Sequence, residues 1–302
     1  MKRLIVVYNP RSSKYLAVKR DVLEKVRNLA GWTVGKYEVQ KELVEVNAKR
    51  LAEFLKDGDL VVAAGGDGTV AVAVNGIILS RKKATLGVLP YGDFNDFAKT
   101  TKTKTLEEII EKFQVGEGKK FWPLEVVIDG RHWRYAVGYV TVGLFAKAAG
   151  IFDGGKVRKG LKHNRGNRVY SLWQLVKWYI PNRKKNYLPE MGVNGIGVVK
   201  NTTDYVAMNA GRMGGVVWNE GWWEDAKKFE SAARNLSGFW SMVGFMLGGM
   251  IRGFRGNETH GDKIVFAEKS DVEIQTEGEK LEISAKEISV KKAEKTLKII
   301  MR

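Results

Sequence analysis

Two kinds of hydrophobic spacing alternate along the first hundred residues. Leu4–Tyr8 is a short apolar run that reads as a buried strand, closed by the turn Asn9-Pro10-Arg11-Ser12-Ser13. Apolar residues at 16, 18, 22, 23, 26 and 29 then recur at helical spacing and predict a helix over Tyr15–Leu29. Trp32–Val39 alternates like a strand, Lys41–Leu55 reads as a second helix, and Leu60–Ala64 is a fully apolar strand. After Gly65-Gly66-Asp67-Gly68-Thr69 come a helix over Val70–Leu79, a strand over Thr85–Leu89, a turn, and a helix near Phe94–Lys99. Repeated β-α-β units with short connections predict a parallel sheet with helices on both faces.

From about Phe121 the texture changes to short strands separated by turns. Glu125–Ile128 and Tyr135–Val142 flank a turn at Asp129-Gly130, and further strand-like runs fall at Gly195–Val199, Tyr205–Met208, Lys263–Phe266, Val272–Gln275, Leu281–Ser284 and Ile288–Val290. This pattern predicts an antiparallel β domain. Two helical segments interrupt it. Val169–Ile180 places apolar residues at 169, 172, 173, 176, 179 and 180, and Phe239–Ile251 is apolar but too short to cross a bilayer. Leu297–Met301 is a last apolar strand able to return to the first sheet. The domains expected are therefore 1–122 plus a returning strand near 296–302, and 123–295 with a basic amphipathic insertion at 156–185.

Composition narrows the partners. In 302 residues, 51 Lys plus Arg stand against 34 Asp plus Glu, so the net charge is 51 − 34 = +17. Such a surplus calls for an anionic partner: nucleic acid, an anionic membrane surface or a phosphorylated ligand. Between Lys156 and Lys185 lie ten basic residues and no acidic one, around a Trp- and Tyr-bearing amphipathic helix, the composition suited to a lipid headgroup layer. The bland alternative is a helix packed on its own domain and kept soluble by its charges. With no Cys there is neither a disulfide framework nor a thiolate zinc site, and a reducing compartment is expected. Three dispersed His argue against a histidine-rich metal centre, and Leu4–Tyr8 is too short for a signal-peptide core.

Candidate chemistry lies in three turns that follow strands one, three and four. In a parallel sheet such turns share one edge, where ligands bind. Gly65–Thr69 leaves a strand and opens a helix, so its backbone N–H groups and the helix N-terminus can meet phosphate oxygens. Asp67 within it would repel phosphate unless it faces a metal ion or takes a proton. Asn95 and Asp96 could alone be an ordinary helix cap; their place in the third turn favours a functional role.

Asn9-Pro10, Gly65-Gly66-Asp67-Gly68-Thr69 continuing to Asn75-Gly76, and Leu89-Pro90-Tyr91-Gly92-Asp93-Phe94-Asn95-Asp96-Phe97-Ala98 together resemble the catalytic domain of the diacylglycerol and sphingosine lipid kinases. The spacing among the motifs makes the resemblance specific over roughly the first 100 residues. Gln275-Thr276-Glu277-Gly278-Glu279 resembles the family's Asp-Gly-Glu turn. The family implies a Rossmann-like α/β nucleotide-binding domain, a C-terminal antiparallel β-sandwich, and phosphorylation of a lipid hydroxyl with ATP and Mg²⁺ in the cleft. By that resemblance, Asn9, Ser12, Gly65, Gly66, Gly68, Thr69, Gly92 and Asn95 would hold the nucleotide. Asp93, Asp96 and Glu125 would serve the metal, and Asp67 and Glu279 are both candidates for the base.

The chain departs from the family in several places. Asp93 stands where Thr is usual, Ser13 where Gly is usual, Glu277 where Asp is usual, and Gly138 where Asn is common. The expected function is an ATP- and Mg²⁺-dependent lipid kinase, with diacylglycerol as acceptor, in the cytoplasm and at an anionic membrane surface. No nucleic acid is expected as partner and a homodimer is left open. The alternatives are an NAD kinase-like enzyme, since those enzymes share the Gly-Gly-Asp-Gly-Thr turn, and a basic lipid- or nucleic-acid-binding protein without kinase activity.

Overall fold

The computed structural model describes residues 2–302 apart from 94, 154–166, 183–186, 194–196, 210, 214–216, 220–223 and 278. The chain forms two units, Met1–Pro123 with Ala293–Arg302, and Leu124–Lys292. Eight of the ten basic residues of the block at 156–185, all but Arg168 and Lys177, lie outside the described residues.

In the first unit, strands β1 (Lys2–Tyr8), β2 (Trp32–Glu38), β3 (Leu60–Gly65) and β4 (Thr85–Pro90) pair in the order β2-β1-β3-β4, all parallel. The sheet continues through the closing strand Leu297–Ile299, parallel to β4, to β5 (Lys119–Phe121), which runs antiparallel. Strand β3 is buried at every position, as a strand covered on both faces must be. The helical stretch after β1 changes pitch: α1 (Tyr15–Val18) passes into a π-turn (Lys19–Leu23) and a 3₁₀ turn (Lys25–Asn28). Helices α2 (Val44–Phe54), α3 (Asp67–Ser80), α4 (Ala98–Thr101) and α5 (Leu106–Gln114) complete the unit.

Helix α3 has no polar face. Ten of its residues from Thr69 to Ile78 are buried, and a Cβ on Gly76 would meet Leu51 of α2 at 2.8 Å, so the two helices pack at a glycine. The short α4 starts only at Ala98, because residues 91–93 and 95–97 are committed to the loop that follows β4. Helix α5 carries no apolar run long enough to stand out in sequence. Its start is set by Thr105, whose Oγ1 accepts the Glu108 N–H at 3.2 Å.

The second unit is one antiparallel sheet. Its strands are β6 (Leu124–Ile128), β7 (Arg131–Ala136), β8 (Tyr139–Gly143), β9 (Met191–Val193), β10 (Gly197–Val199) and β11 (Asp204–Met208). The hairpin β12 (Gly211–Met213) with β13 (Val217–Asn219) stands apart, and β14 (Phe229–Arg234), β15 (Asn257–Thr259), β16 (Gly261–Thr276) and β17 (Glu279–Lys292) complete the set. The main order is β15-β14-β11-β8-β16-β17-β6-β7. One apolar cluster draws on strands from β6 to β17, including Val126, Val140, Tyr205, Phe229, Ile274 and Ile288, so the sheet curls over a shared core. Helices α6 (Leu144–Asp153), α7 (Asn167–Asn182) and α8 (Phe239–Ile251) cover the opposite face, where Val206 and Met208 of β11 pack with Tyr179, Met242 and Met246. This is the α/β plus antiparallel β fold class expected from the sequence.

Candidate functional site

In the first unit three loops close on one another at the C-terminal ends of β1, β3 and β4. The first is an Asx turn: Asn9 Oδ1 accepts the Arg11 N–H at 2.9 Å and Asn9 O accepts the Ser12 N–H at 3.1 Å. Ser12 Oγ is buried without a hydrogen-bond partner, an unmet polar group of the kind that a bound phosphate oxygen would satisfy.

The second loop opens α3. Its glycines do different jobs. A Cβ on Gly65 would meet Thr69 Oγ1 at 2.3 Å, so Thr69 is folded onto the loop and buried. Gly66 touches the third loop: a Cβ on Gly92 would lie 2.3 Å from the Gly66 Cα. Gly68 alone of these has open space where a side chain would go, which suits backbone approach by a ligand.

Asp67 spans the second and third loops. Its Oδ2 accepts the Asp96 N–H and its Oδ1 the Phe97 N–H, both at 3.0 Å. Burial holds its carboxyl above the usual carboxylate range, against the pull of those two donors. Asn95 closes the third loop from within. At φ 53° it sits in the left-handed region, its Oδ1 accepting the Gly92 N–H at 2.6 Å and its Nδ2 donating to Gly92 O at 2.7 Å. Tyr91 N–H donates to Gly65 O at 3.1 Å.

The two departures in this region are partners. Ser13 Oγ donates to Asp93 Oδ1 at 2.6 Å and ties the first loop to the third. Asp93 thus has a local donor in place of a free carboxylate. Asp96 is mostly buried and pairs with Lys99 Nζ at 3.3 Å.

In the second unit, Glu279 opens β17 and is held by Arg134, a guanidinium buried at the end of β7. Arg134 lies over the Trp133 ring at 4.1 Å from its centroid, and its Nη1 also reaches Thr276 Oγ1 at 3.4 Å. Glu277, at φ 47°, turns its Oε1 onto the N–H groups of Val137 and Gly138 at 2.9 Å and of Tyr139 at 3.4 Å, while Oε2 is buried with no partner. Those bonds explain why the run from 135 to 142 breaks into β7 and β8. Burial pushes the Glu277 carboxyl up to about 7. Glu125 is engaged elsewhere, with His132 Nδ1 at 3.2 Å and Lys291 Nζ at 3.4 Å.

The nucleotide-binding candidates of the first unit therefore gather on one edge, whereas the metal candidates do not form an ion cage. Asp93, Asp96 and Glu125 each have a local partner, and among the described residues no three acidic or His side chains converge on a point that could hold a metal ion. Arg134 was not among the sequence candidates. The signal for it is an arginine between Trp133 and Tyr135 in the half of β7 that is buried from Arg134 to Ala136.

Residues 3–126 match the diacylglycerol kinase catalytic domain. The diacylglycerol kinase of Bacillus subtilis is 38% identical over 101 residues, 33% of this chain and 33% of that enzyme. That of Staphylococcus epidermidis is 32% identical over 193 residues, 63% of this chain and 54% of that enzyme. The alignments thus span a third to about half of the length of these curated relatives. A diacylglycerol kinase structure from Bacillus anthracis superposes with a TM-score of 0.64 at 15% identity, covering 100% of this chain and 97% of that one. An NAD kinase from Archaeoglobus fulgidus, solved in complex with ATP, gives 0.51 at 9% identity over 99% of this chain and 93% of that one. At such identities the likeness is one of fold. Over residues 3–126 the chain is thus similar to the diacylglycerol kinase catalytic domain.

Proposed function

We propose that the protein is a lipid kinase that moves the γ-phosphoryl group of ATP to a lipid hydroxyl, with diacylglycerol as acceptor and phosphatidic acid as product. The observation that carries this reading is the set of three loops tied together through the third, with Gly68 facing open space and the Ser12 hydroxyl buried and unpartnered on the same sheet edge. Phosphoryl transfer demands positioned phosphates and little covalent chemistry from the protein. Ser12, the Gly68 backbone and the N-terminus of α3 would hold the phosphates. Asn9, Asn95 and Gly92 shape the loops, and Asp67 locks two of them together. Thr69 supports the loop from its buried position.

Glu279 is the better of the two base candidates. Both Asp67 oxygens already accept backbone N–H groups, whereas Glu279 meets Arg134 through Oε2 and is part-exposed. In the reaction the acceptor oxygen bonds to the γ-phosphorus, the bond to the β-phosphate oxygen breaks, ADP leaves, and the hydroxyl proton passes to the carboxylate. Mg²⁺ accompanies ATP in this proposal, but Asp93, Asp96 and Glu125 do not fit as its direct ligands and no step is assigned to it. Cytoplasmic residence with reversible attachment to anionic membrane belongs to the same reading, supported by the acid-free basic stretch at 156–185.

Incubation with γ-labelled ATP and Mg²⁺ tests the assignment, with diacylglycerol vesicles, sphingosine vesicles and NAD offered separately. Label is expected in phosphatidic acid. Transfer to NAD would establish the NAD kinase-like alternative, and no transfer to any acceptor would leave a binding protein without kinase activity.

A further inference from the structure

Helix α8 shows solvent a face that a surface helix normally makes polar. Trp240, Leu247, Met250 and Ile251 point outward, Trp240 being 79% and Ile251 73% exposed, and only Ser241 and Gly244 lie among them. The helix contains no charged residue at all. Single exposed apolar side chains are ordinary on protein surfaces, but a continuous stripe along one helix marks an interaction site.

This helix is firmly seated. Met242 and Met246 enter the buried cluster beneath it. Gly249 lies so close to Val217 that a Cβ would meet its methyl groups at 2.8 Å, and Trp218 Nε1 donates to Met250 O at 3.1 Å. Tyr179 of α7 donates to the carbonyls of Leu236 and Gly238, the second at 3.1 Å, so α7 is bonded to the entrance of α8. Among the described side chains of α7, the apolar Trp173 and Ile180 are exposed on the same side as Lys177, at i, i+7 and i+4.

Charge identifies what covers these faces. From 231 to 257 the chain has Arg234, Arg252 and Arg255 and no acidic residue, and from 154 to 189 it has no acidic residue either. Arg252 and Arg255 are exposed just beyond the C-terminal end of α8. Apolar stripes on stretches of chain that carry cations and no acidic residue complement a layer of anionic headgroups over hydrocarbon. At 13 residues α8 is about 20 Å long, enough to lie in that layer and too short to cross it.

We propose that the outer faces of α7 and α8 are an insertion surface for an anionic lipid bilayer, with Trp240, Leu247, Met250 and Ile251 entering the boundary between headgroups and chains. The inference deepens the lipid kinase reading, because an acceptor held in a bilayer has to be met there. It can fail separately, because vesicle binding needs no nucleotide.

The test is co-sedimentation of the full chain with phosphatidylcholine vesicles, with and without phosphatidylserine. The wild type is compared with Trp240→Ser/Leu247→Ser and with Arg252→Glu/Arg255→Glu, each checked for an unchanged circular dichroism spectrum. Each inserted side chain is worth about tenfold in partitioning, so the apolar pair should weaken binding about a hundredfold at any salt concentration. The charge pair should weaken it only at low salt and only with phosphatidylserine present. Wild-type binding by the Trp240/Leu247 variant overturns the proposal. So does sedimentation velocity showing a wild-type dimer that this variant splits, which would make a second copy of the chain the covering partner. Phosphorylation of a short-chain diacylglycerol in detergent micelles reports on the kinase reading alone.

Discussion

Arg134 and Glu279 illustrate how one side chain's task depends on another's burial. A guanidinium with almost no exposed surface must be compensated where it sits, and Glu279, Thr276 and the Trp133 ring do so. Removing the cation strands carboxylates, while removing the partly exposed Glu279 strands less. Arg134→Met should therefore destabilise the protein by about 3 kcal/mol, and Glu279→Gln by clearly less. Combined, they should cost less than their sum in urea unfolding; strict additivity would mean that the two do not act as a pair. Turnover separates the roles differently. Glu279→Gln should lower kcat by about 10² to 10⁴ in a folded protein, whereas Arg134→Lys should retain much of it. Full activity of Glu279→Gln would remove it as the base. The sequence named Glu279 because its local motif is contiguous, but Arg134 lies 145 positions earlier and its pairing depends on strand register.

Elements were legible where their spacing was self-contained. The strands at 4–8, 60–64 and 85–89 and the helix at 44–54 follow from local spacing, and the helix at 239–251 from its apolar composition. Long-range contacts decided the rest. The runs at 263–266 and 272–275 are parts of the single strand β16, whose pairing with β17 shifts register between Val265 and Ser270, and such a bulge interrupts the alternation that would have joined them. Helix α5 was not anticipated, although Thr105 and Glu108 form a recognisable start: Thr105 Oγ1 accepts the Glu108 N–H, and Glu108 Oε2 accepts the Lys104 N–H at 3.1 Å. Thr105→Ala should cost about 1 kcal/mol of unfolding free energy, and Thr105→Ser only a fraction of that. Equal losses for the two would show that the methyl group, and not the cap, is what matters.

At the scale of the whole molecule the buried titratable groups predict an unusual pH profile. Burial raises Asp204 and Glu277 to about 7 from ordinary values of 3.8 and 4.5, so between those limits the folded state holds more protons than the unfolded one. Stability should fall as pH rises through that window. Burial lowers Lys292 from 10.5 to about 7, so above neutrality the unfolded state holds the extra proton and stability should recover with rising pH. Chemical unfolding across pH should show a shallow minimum near 7, and Glu277→Gln should remove part of its acid side. A stability maximum at neutrality would contradict these environments. By itself the sequence determined the alternation of strand and helix in the first unit, the β-rich texture of the second, and the three turns that carry the family's motifs. Those features depend on residues near one another in the chain. Tertiary structure alone decided that Asp67 locks two loops, that Ser13 takes up the Asp93 carboxylate, that Arg134 holds Glu279, and that the apolar stripe of α8 faces outward. Each of those outcomes depends on which distant backbone or side chain fills the space opposite, and hydrophobic spacing carries no record of it.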